Sequence, residues 1–195
     1  MASNSLRVWR TTRARALDEM ENAHASIGGT GRGRRYATQQ INQSYAVMVA
    51  SQFQGFCRDL HTDSVTMLVE FIQPPAQIVQ IVRKRFLDGR QLESKNAQPS
   101  SLGSDFGWFG IEFWNEVNAR LRDTGAAKRE LERLNEWRNA IAHQNFQKVS
   151  PNVSPNLTLK QVRLWRGLCD RLARAFDRVM RNYLQSLMGE SPWPA

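Results

Sequence analysis

The sequence predicts an all-α fold, and three observations predict it. Apolar residues recur at steps of three and four through residues 38–60 and again through residues 158–188, the period of a helix face rather than of a strand. No segment reads as a strand, and no internal repeat is visible. The periodic stretches are separated by Gly-, Pro-, Ser- and Asp-containing breaks of the kind that end helices. The 195 residues form a single domain, 1–195, large enough for a real core.

Residues 5–26 read as a first helix with a patchy apolar face of Leu6, Trp9, Leu17 and Met20. Its first half carries Arg7, Arg10, Arg13 and Arg15, its second half Asp18, Glu19 and Glu21. That order opposes the helix dipole, so the arginines are expected to have another partner, either phosphate or an acidic neighbouring helix. Residues 27–35 combine Gly28, Gly29, Gly31 and Gly33 with Arg32, Arg34 and Arg35. A phosphate-binding P-loop would end in Lys-Ser/Thr and follow an apolar strand; both are missing. A basic surface loop that helps attract RNA is expected instead.

A long helix begins near Thr38, with Ile41, Tyr45, Met48, Val49, Phe53, Phe56, Cys57 and Leu60 as its buried stripe. Thr62-Asp63-Ser64 either kinks it or caps a second helix running to Ile72. Pro75 suits the first turn of the next helix, which Asp88-Gly89 ends. Residues 91–105 are rich in Ser, Gln, Asn, Gly and Pro and are expected to be an exposed loop. Phe106, Trp108, Phe109, Phe113 and Trp114 follow; core-filling at a helix start is favoured over a base-stacking platform. Thr124-Gly125 separates that helix from one over residues 126–143, and Pro151 and Pro155 make 149–157 a loop.

The last helix, residues 158–188, gives the strongest signal: Val162, Trp165, Cys169, Leu172, Phe176, Val179, Tyr183 and Leu187. A tail follows at 189–195. Arg171, Arg174, Arg178 and Arg181 lie along one side of this long C-terminal helix. They form a solvated face paired with Asp170 and Asp177 or, in the sharper reading, a stripe that tracks RNA.

Hydrophobic residues make up 41% and charged residues 23%, which is globular rather than disordered. A net charge of +9 favours polyanions or an acidic partner. Cys57 and Cys169 are too few for a disulfide framework and read as reduced core thiols. Residues 36–57 carry no charge, but Gln39, Gln40, Asn42, Gln43, Gln52 and Gln54 would be costly in hydrocarbon. Arginines interrupt any apolar leader. No membrane partner is expected, and the protein should be soluble and cytoplasmic.

The densest polar chemistry lies in residues 134–146, Leu-Asn-Glu-Trp-Arg-Asn-Ala-Ile-Ala-His-Gln-Asn-Phe. Arg138, Asn139 and His143 supply a guanidinium, an amide and an imidazole, the groups needed to grip a phosphate and move protons near neutral pH. On an ideal helix Leu131, Trp137 and Ile141 fall within about 60° of Leu134 and form the core stripe. Asn135, Asn139 and His143 form a row on the other side, and Arg138 lies about 140° from His143. A straight, isolated helix does not bring both groups to one phosphorus. Either the helix end loosens near residues 140–142, or the arginine stem reaches around, or a second copy supplies the missing half.

The pattern Arg138-Asn139-Ala140-Ile141-Ala142-His143 resembles the Arg-x(4–6)-His motif of HEPN (higher eukaryote and prokaryote nucleotide-binding) domains, including the polar residue after the arginine. The all-helical layout with a late motif looks like that family too. So does the stretch Ser-Gln-Phe-Gln-Gly-Phe-Cys-Arg-Asp-Leu at residues 51–60. The resemblance implies a HEPN-like helical bundle that forms a homodimer with two motifs facing across a cleft. It also implies a metal-independent endoribonuclease that uses no cofactor and serves as a toxin or phage-defence effector. His143 would then be the general acid or base for attack by the ribose 2′-hydroxyl, Arg138 would hold the scissile phosphate, and Asn139 would orient one of them. An antitoxin or regulatory protein would be a further partner. In members paired with nucleotidyltransferase antitoxins a tyrosine two places after the histidine accepts the modification; Asn145 stands there, so control by that route is not expected.

Two alternatives compete with catalysis. Arg138 and His143 suit a helix C-terminus simply because cations favour that end of the dipole. The same fold can also bind RNA or a partner protein without cleaving. Cys57 and His61 have the spacing of two zinc ligands, but nothing fixes a set of four. No serine or cysteine nucleophile has a recognisable histidine and acid beside it.

Overall fold

In a computed structural model, residues 2–28, 36–147, 149 and 156–193 are described, and among them there is no strand. The helices are α1 (Asn4–Val8), α2 (Ala14–Gly28), α3 (Tyr36–Ile72), α4 (Ala76–Arg83), α5 (Pro99–Gly107), α6 (Phe113–Asn118), α7 (Thr124–Ala142) and α8 (Leu159–Met188). A π turn, Trp9–Arg13, joins α1 to α2, so the predicted first helix is one rod with a widened turn. No helix of the described residues is long and apolar enough to cross a membrane.

α3 is the axis, touching the first helix, α4, α5, α7 and α8. Tyr45, Val49, Phe53, Phe56, Cys57, Leu60 and Val65 are buried along it. A helix covered on several sides must still satisfy its polar side chains. Asn42 Nδ2 donates to the Leu157 carbonyl at 2.8 Å, Gln52 Oε1 accepts from Arg13 Nη1 at 2.7 Å, and Gln54 Nε2 donates to the carbonyls of Leu92 (3.0 Å) and Lys95 (2.9 Å). The kink or fresh cap expected at residues 62–64 is absent. Thr62 and Ser64 donate their hydroxyls back to the Arg58 and Leu60 carbonyls, and Asp63 accepts from Ser5 of α1. These three polar residues are satisfied without breaking the helix.

The basic half of the first helix finds its acidic neighbour at one point. Arg13 pairs with Asp59 of α3 at 2.6 Å, and its guanidinium lies over Gly55, where a Cβ would come within 2.6 Å of Nη1. The acidic half answers α8: Asp18 and Glu21 pair with Arg166, and Glu21 also pairs with Arg163. The pairing expected within α8 is not formed among the described residues. Asp170 accepts from Trp9 Nε1 and Asp177 from the Ser3 N–H, both at 2.9 Å, so these carboxylates anchor the first helix instead of neutralising Arg171, Arg174, Arg178 and Arg181.

Residues 91–105, expected as an exposed loop, are instead a pinned strap leading into α5. Leu92, Ala97, Leu102 and Asp105 are buried. Asp105 accepts the N–H groups of Gln91 (2.8 Å) and Leu92 (2.9 Å), while Arg90 donates to the Arg58 carbonyl and to Thr62. Pro99 opens α5 in its first turn. The composition read as a loop because a few widely spaced apolar side chains hold the strap, with polar atoms capping its backbone. The aromatics that follow fill the core as expected: Phe106, Phe113 and Phe176 pack ring on ring, with centroids 4.4–6.3 Å apart. Trp193 buries its ring, which anchors the described segment after α8, residues 189–193, of the expected 189–195 tail.

His61 is fully buried, with Phe86, Phe106, Trp108 and Phe109 around its ring. Nε2 donates to the Asp105 carbonyl at 3.1 Å, and Nδ1 has no partner among the described residues. Burial, and secondarily the charge of Arg90, pushes its pKa down from 6.5 to about 4. Between those values the unfolded chain takes up a proton that the folded chain refuses. His61 therefore stabilises fully above about pH 6.5 and loses about 3 kcal/mol by about pH 4. The Asp63 and Asp105 carboxyls, raised by burial, act in the opposite direction as pH falls. Comparing wild type with His61→Gln by urea unfolding at each pH isolates the histidine; the variant should lack this acid-side loss.

Candidate functional site

α7 is built from its two ends and one stripe. Asp123, in the left-handed region at φ 57°, caps the start by accepting from the Ala126 N–H at 3.1 Å. Leu131, Leu134 and Trp137 are buried, the stripe expected from the sequence. At the far end Gln144 adopts φ 51°. Its N–H bonds the Ile141 carbonyl, and the Asn145 N–H bonds that of Ala140. That is a Schellman ending with glutamine in the place where glycine is usual. Phe146 then folds back on Trp137, ring centroids 6.3 Å apart.

His143 is the C-cap, and its N–H still bonds the Asn139 carbonyl at 3.0 Å, so the helix does not loosen over residues 140–142. The imidazole is exposed and has no hydrogen-bond partner among the described residues. Arg138 is half-buried, and its Nη1 donates to the Oδ1 of the adjacent Asn139 at 3.1 Å. Asn96, on the strap, donates Nδ2 to the same oxygen at 2.8 Å. Asn139 is thereby fixed with its oxygen occupied and its amide nitrogen turned away from those donors. Residues four apart are neighbours on a helix surface, with Cβ atoms about 6 Å apart. The open imidazole thus stands one turn from an amide that holds the guanidinium.

The row of Asn135, Asn139 and His143 divides by burial. Asn135 is 3% exposed and donates to the carbonyls of Ala97 (3.1 Å) and Leu131 (2.9 Å). It clamps the strap and takes no part in an open site. Asn96 was hidden in the polar composition of residues 91–105, where only a long-range contact distinguishes it from its neighbours. Arg32, Arg34 and Arg35 lie outside the described residues. Arg171, Arg174 and Arg178 are exposed on α8 but face two different cavities. Arg171 lines one beside Leu121, Leu164 and Leu168, whereas Arg174 and Arg178 line another beside Arg10 and Arg181. Cys57 and Cys169 are free and buried, with burial pushing both thiols up. No group of three metal-ligating side chains occurs among the described residues.

No family model matches the chain, and neither the curated proteins nor the solved structures contain a detectable match to it.

Asn135 and Asn139 should separate in their effects on stability. Asn135→Ala leaves the Ala97 carbonyl without its donor and should lower unfolding free energy by about 1–3 kcal/mol. Asn139→Ala, nearer the surface, should cost under about 1 kcal/mol. Chemical denaturation of both variants checks this.

Proposed function

We propose that the chain is a HEPN-type, metal-independent endoribonuclease that works as a homodimer, with Arg138, Asn139 and His143 of both copies around one ribose–phosphodiester linkage. The observation that supports this best is the pairing of an exposed, unengaged imidazole with a guanidinium held in place by Asn139 and Asn96. A titratable ring that must take and give protons is useful only when substrate can reach it. A fixed cationic donor stabilises the charge that develops on phosphorus.

In the proposed step the ribose 2′-oxygen forms a bond to phosphorus as the bond to the 5′-oxygen breaks. One His143 takes the 2′-hydroxyl proton, and the second copy's His143 supplies a proton to the departing 5′-oxygen. The products are a 2′,3′-cyclic phosphate and a 5′-hydroxyl. The HEPN resemblance extends this reading to a toxin or phage-defence role with a separate protein restraining it.

The rival reading, a module that binds RNA or a protein without chemistry, draws on one observation: no described side chain orients the imidazole. Catalytic histidines are commonly held by a bond to their second nitrogen. Incubation of purified protein with RNA in EDTA decides between the two. Cleavage to cyclic-phosphate ends, reduced by about 100-fold or more in folded Arg138→Ala and His143→Ala, supports the nuclease. RNA cut equally by wild type and both variants removes the motif from the mechanism, and binding without new ends favours the module. Asn96→Ala, which releases Asn139, should lower cleavage by about tenfold or more without changing RNA affinity.

A further inference from the structure

α8 carries basic residues along the side that faces the first helix, and their fates differ along its length. The two helices run antiparallel: Glu21 meets Arg163, Trp9 meets Asp170, and Ser3 meets Asp177. In the first half of this seam Arg163 pairs with Glu21, and Arg166 with Asp18 and Glu21. Farther along, Arg10, Arg174, Arg178 and Arg181 line one cavity of about 300 Å³ with Ala2, Leu6 and Asp177.

None of those four guanidiniums has an ion pair or a side-chain hydrogen bond among the described residues, and Arg181 Nε is buried with no partner. The single carboxylate, Asp177, already accepts the Ser3 N–H. Arg10 comes from the π turn, where the widened backbone lets Trp9 point into the core while its neighbour stays exposed at the seam. Four cations around one carboxylate repel one another. An anion carrying several acceptor oxygens removes that repulsion and matches the planar forks of arginine.

We infer that this cavity binds a phosphate group, with Arg10, Arg174, Arg178 and Arg181 as its donors. The phosphate belongs either to an RNA backbone, which would extend the substrate path of the nuclease reading, or to a small phosphorylated ligand. The cavity does not depend on that reading, because none of its residues belongs to the Arg138–His143 motif.

The test uses two probes on the full chain: inorganic pyrophosphate, and a 2′-O-methyl oligoribonucleotide that cannot be cut by 2′-hydroxyl attack. Binding is measured by calorimetry and by fluorescence anisotropy at two salt concentrations. Arg174→Ala/Arg178→Ala should weaken binding of at least one probe by about tenfold or more. Arg129→Ala/Arg133→Ala, an equal loss of charge on the exposed surface of α7, should weaken it far less. The cavity variant should remain folded by circular dichroism, since it removes like charges; Arg174→Lys/Arg178→Lys, which keeps the charge and loses the forks, gives a second reading, with binding weaker than wild type. Pyrophosphate bound without competition from the oligonucleotide assigns a small ligand, whereas oligonucleotide binding lost with the cavity arginines assigns the RNA backbone. If neither probe binds wild type, or the α7 pair loses as much as the cavity pair, the assignment is wrong. RNA cleavage in EDTA is read separately on the same proteins, so the nuclease reading and the phosphate cavity can fail independently.

Discussion

A helix buried on several sides must find partners for most of its polar side chains in neighbouring segments, and those bonds organise this molecule. α3 turns Asn42, Gln52 and Gln54 toward other segments rather than toward water, and leaves Asn42 Oδ1 and His61 Nδ1 without a partner among the described residues. Asn42 takes the carbonyl just before α8, Gln52 takes Arg13 of the first helix, and Gln54 takes two carbonyls of the strap. The amides that make α3 unfit for hydrocarbon are therefore its crosslinks. Each bond contributes about 1 kcal/mol, but each also fixes where a neighbouring segment lies, because the alternative is a buried orphan.

The motif inherits its geometry from those crosslinks. Gln54 and Arg90 hold the strap against α3, the Asp105 carboxylate ties its start to α5, and Asn135 holds it against α7. Asn96 is then placed to pin Asn139, which engages Arg138. His143 stands outside this chain of contacts, at a helix end closed by backbone bonds, by the Gln144 amide on the Ile141 carbonyl and by Phe146 against Trp137. The rigid half of the motif carries permanent positive charge, and the free half carries the titratable group.

Electrostatics divides the surface in a similar way. Arg13, Arg163 and Arg166 join the first helix to α3 and α8 through carboxylates. Exposed pairs of this kind contribute little to stability, about 0–1 kcal/mol each, yet they set the antiparallel register of the helices. Asp170 and Asp177 are committed to Trp9 and Ser3, and the basic residues at the far end of the seam form no ion pair among the described residues.

The helical class, the stripes of α3, α7 and α8 (apart from Leu187, which is exposed), and the unfitness of the apolar runs to cross a membrane were legible in the sequence, because each depends on periodicity or composition within one segment. The bounds read for the last helix, 158–188, were equally local: Thr158 caps α8 and Gly189 ends it. Residues 91–105 were misread for the opposite reason: Leu92, Ala97 and Asp105 are held by partners distant in the chain, and no local pattern records that. The break expected at residues 62–64 failed similarly, since side chains that signal a cap when alone also bond within a continuing helix. Arg138, Asn139 and His143 could be singled out by chemistry and spacing. Which of them is fixed, which is free, that Asn135 is buried and that Asn96 joins them were decided only when α7 met the strap, because hydrogen bonds between segments depend on three-dimensional placement that one-dimensional spacing does not encode.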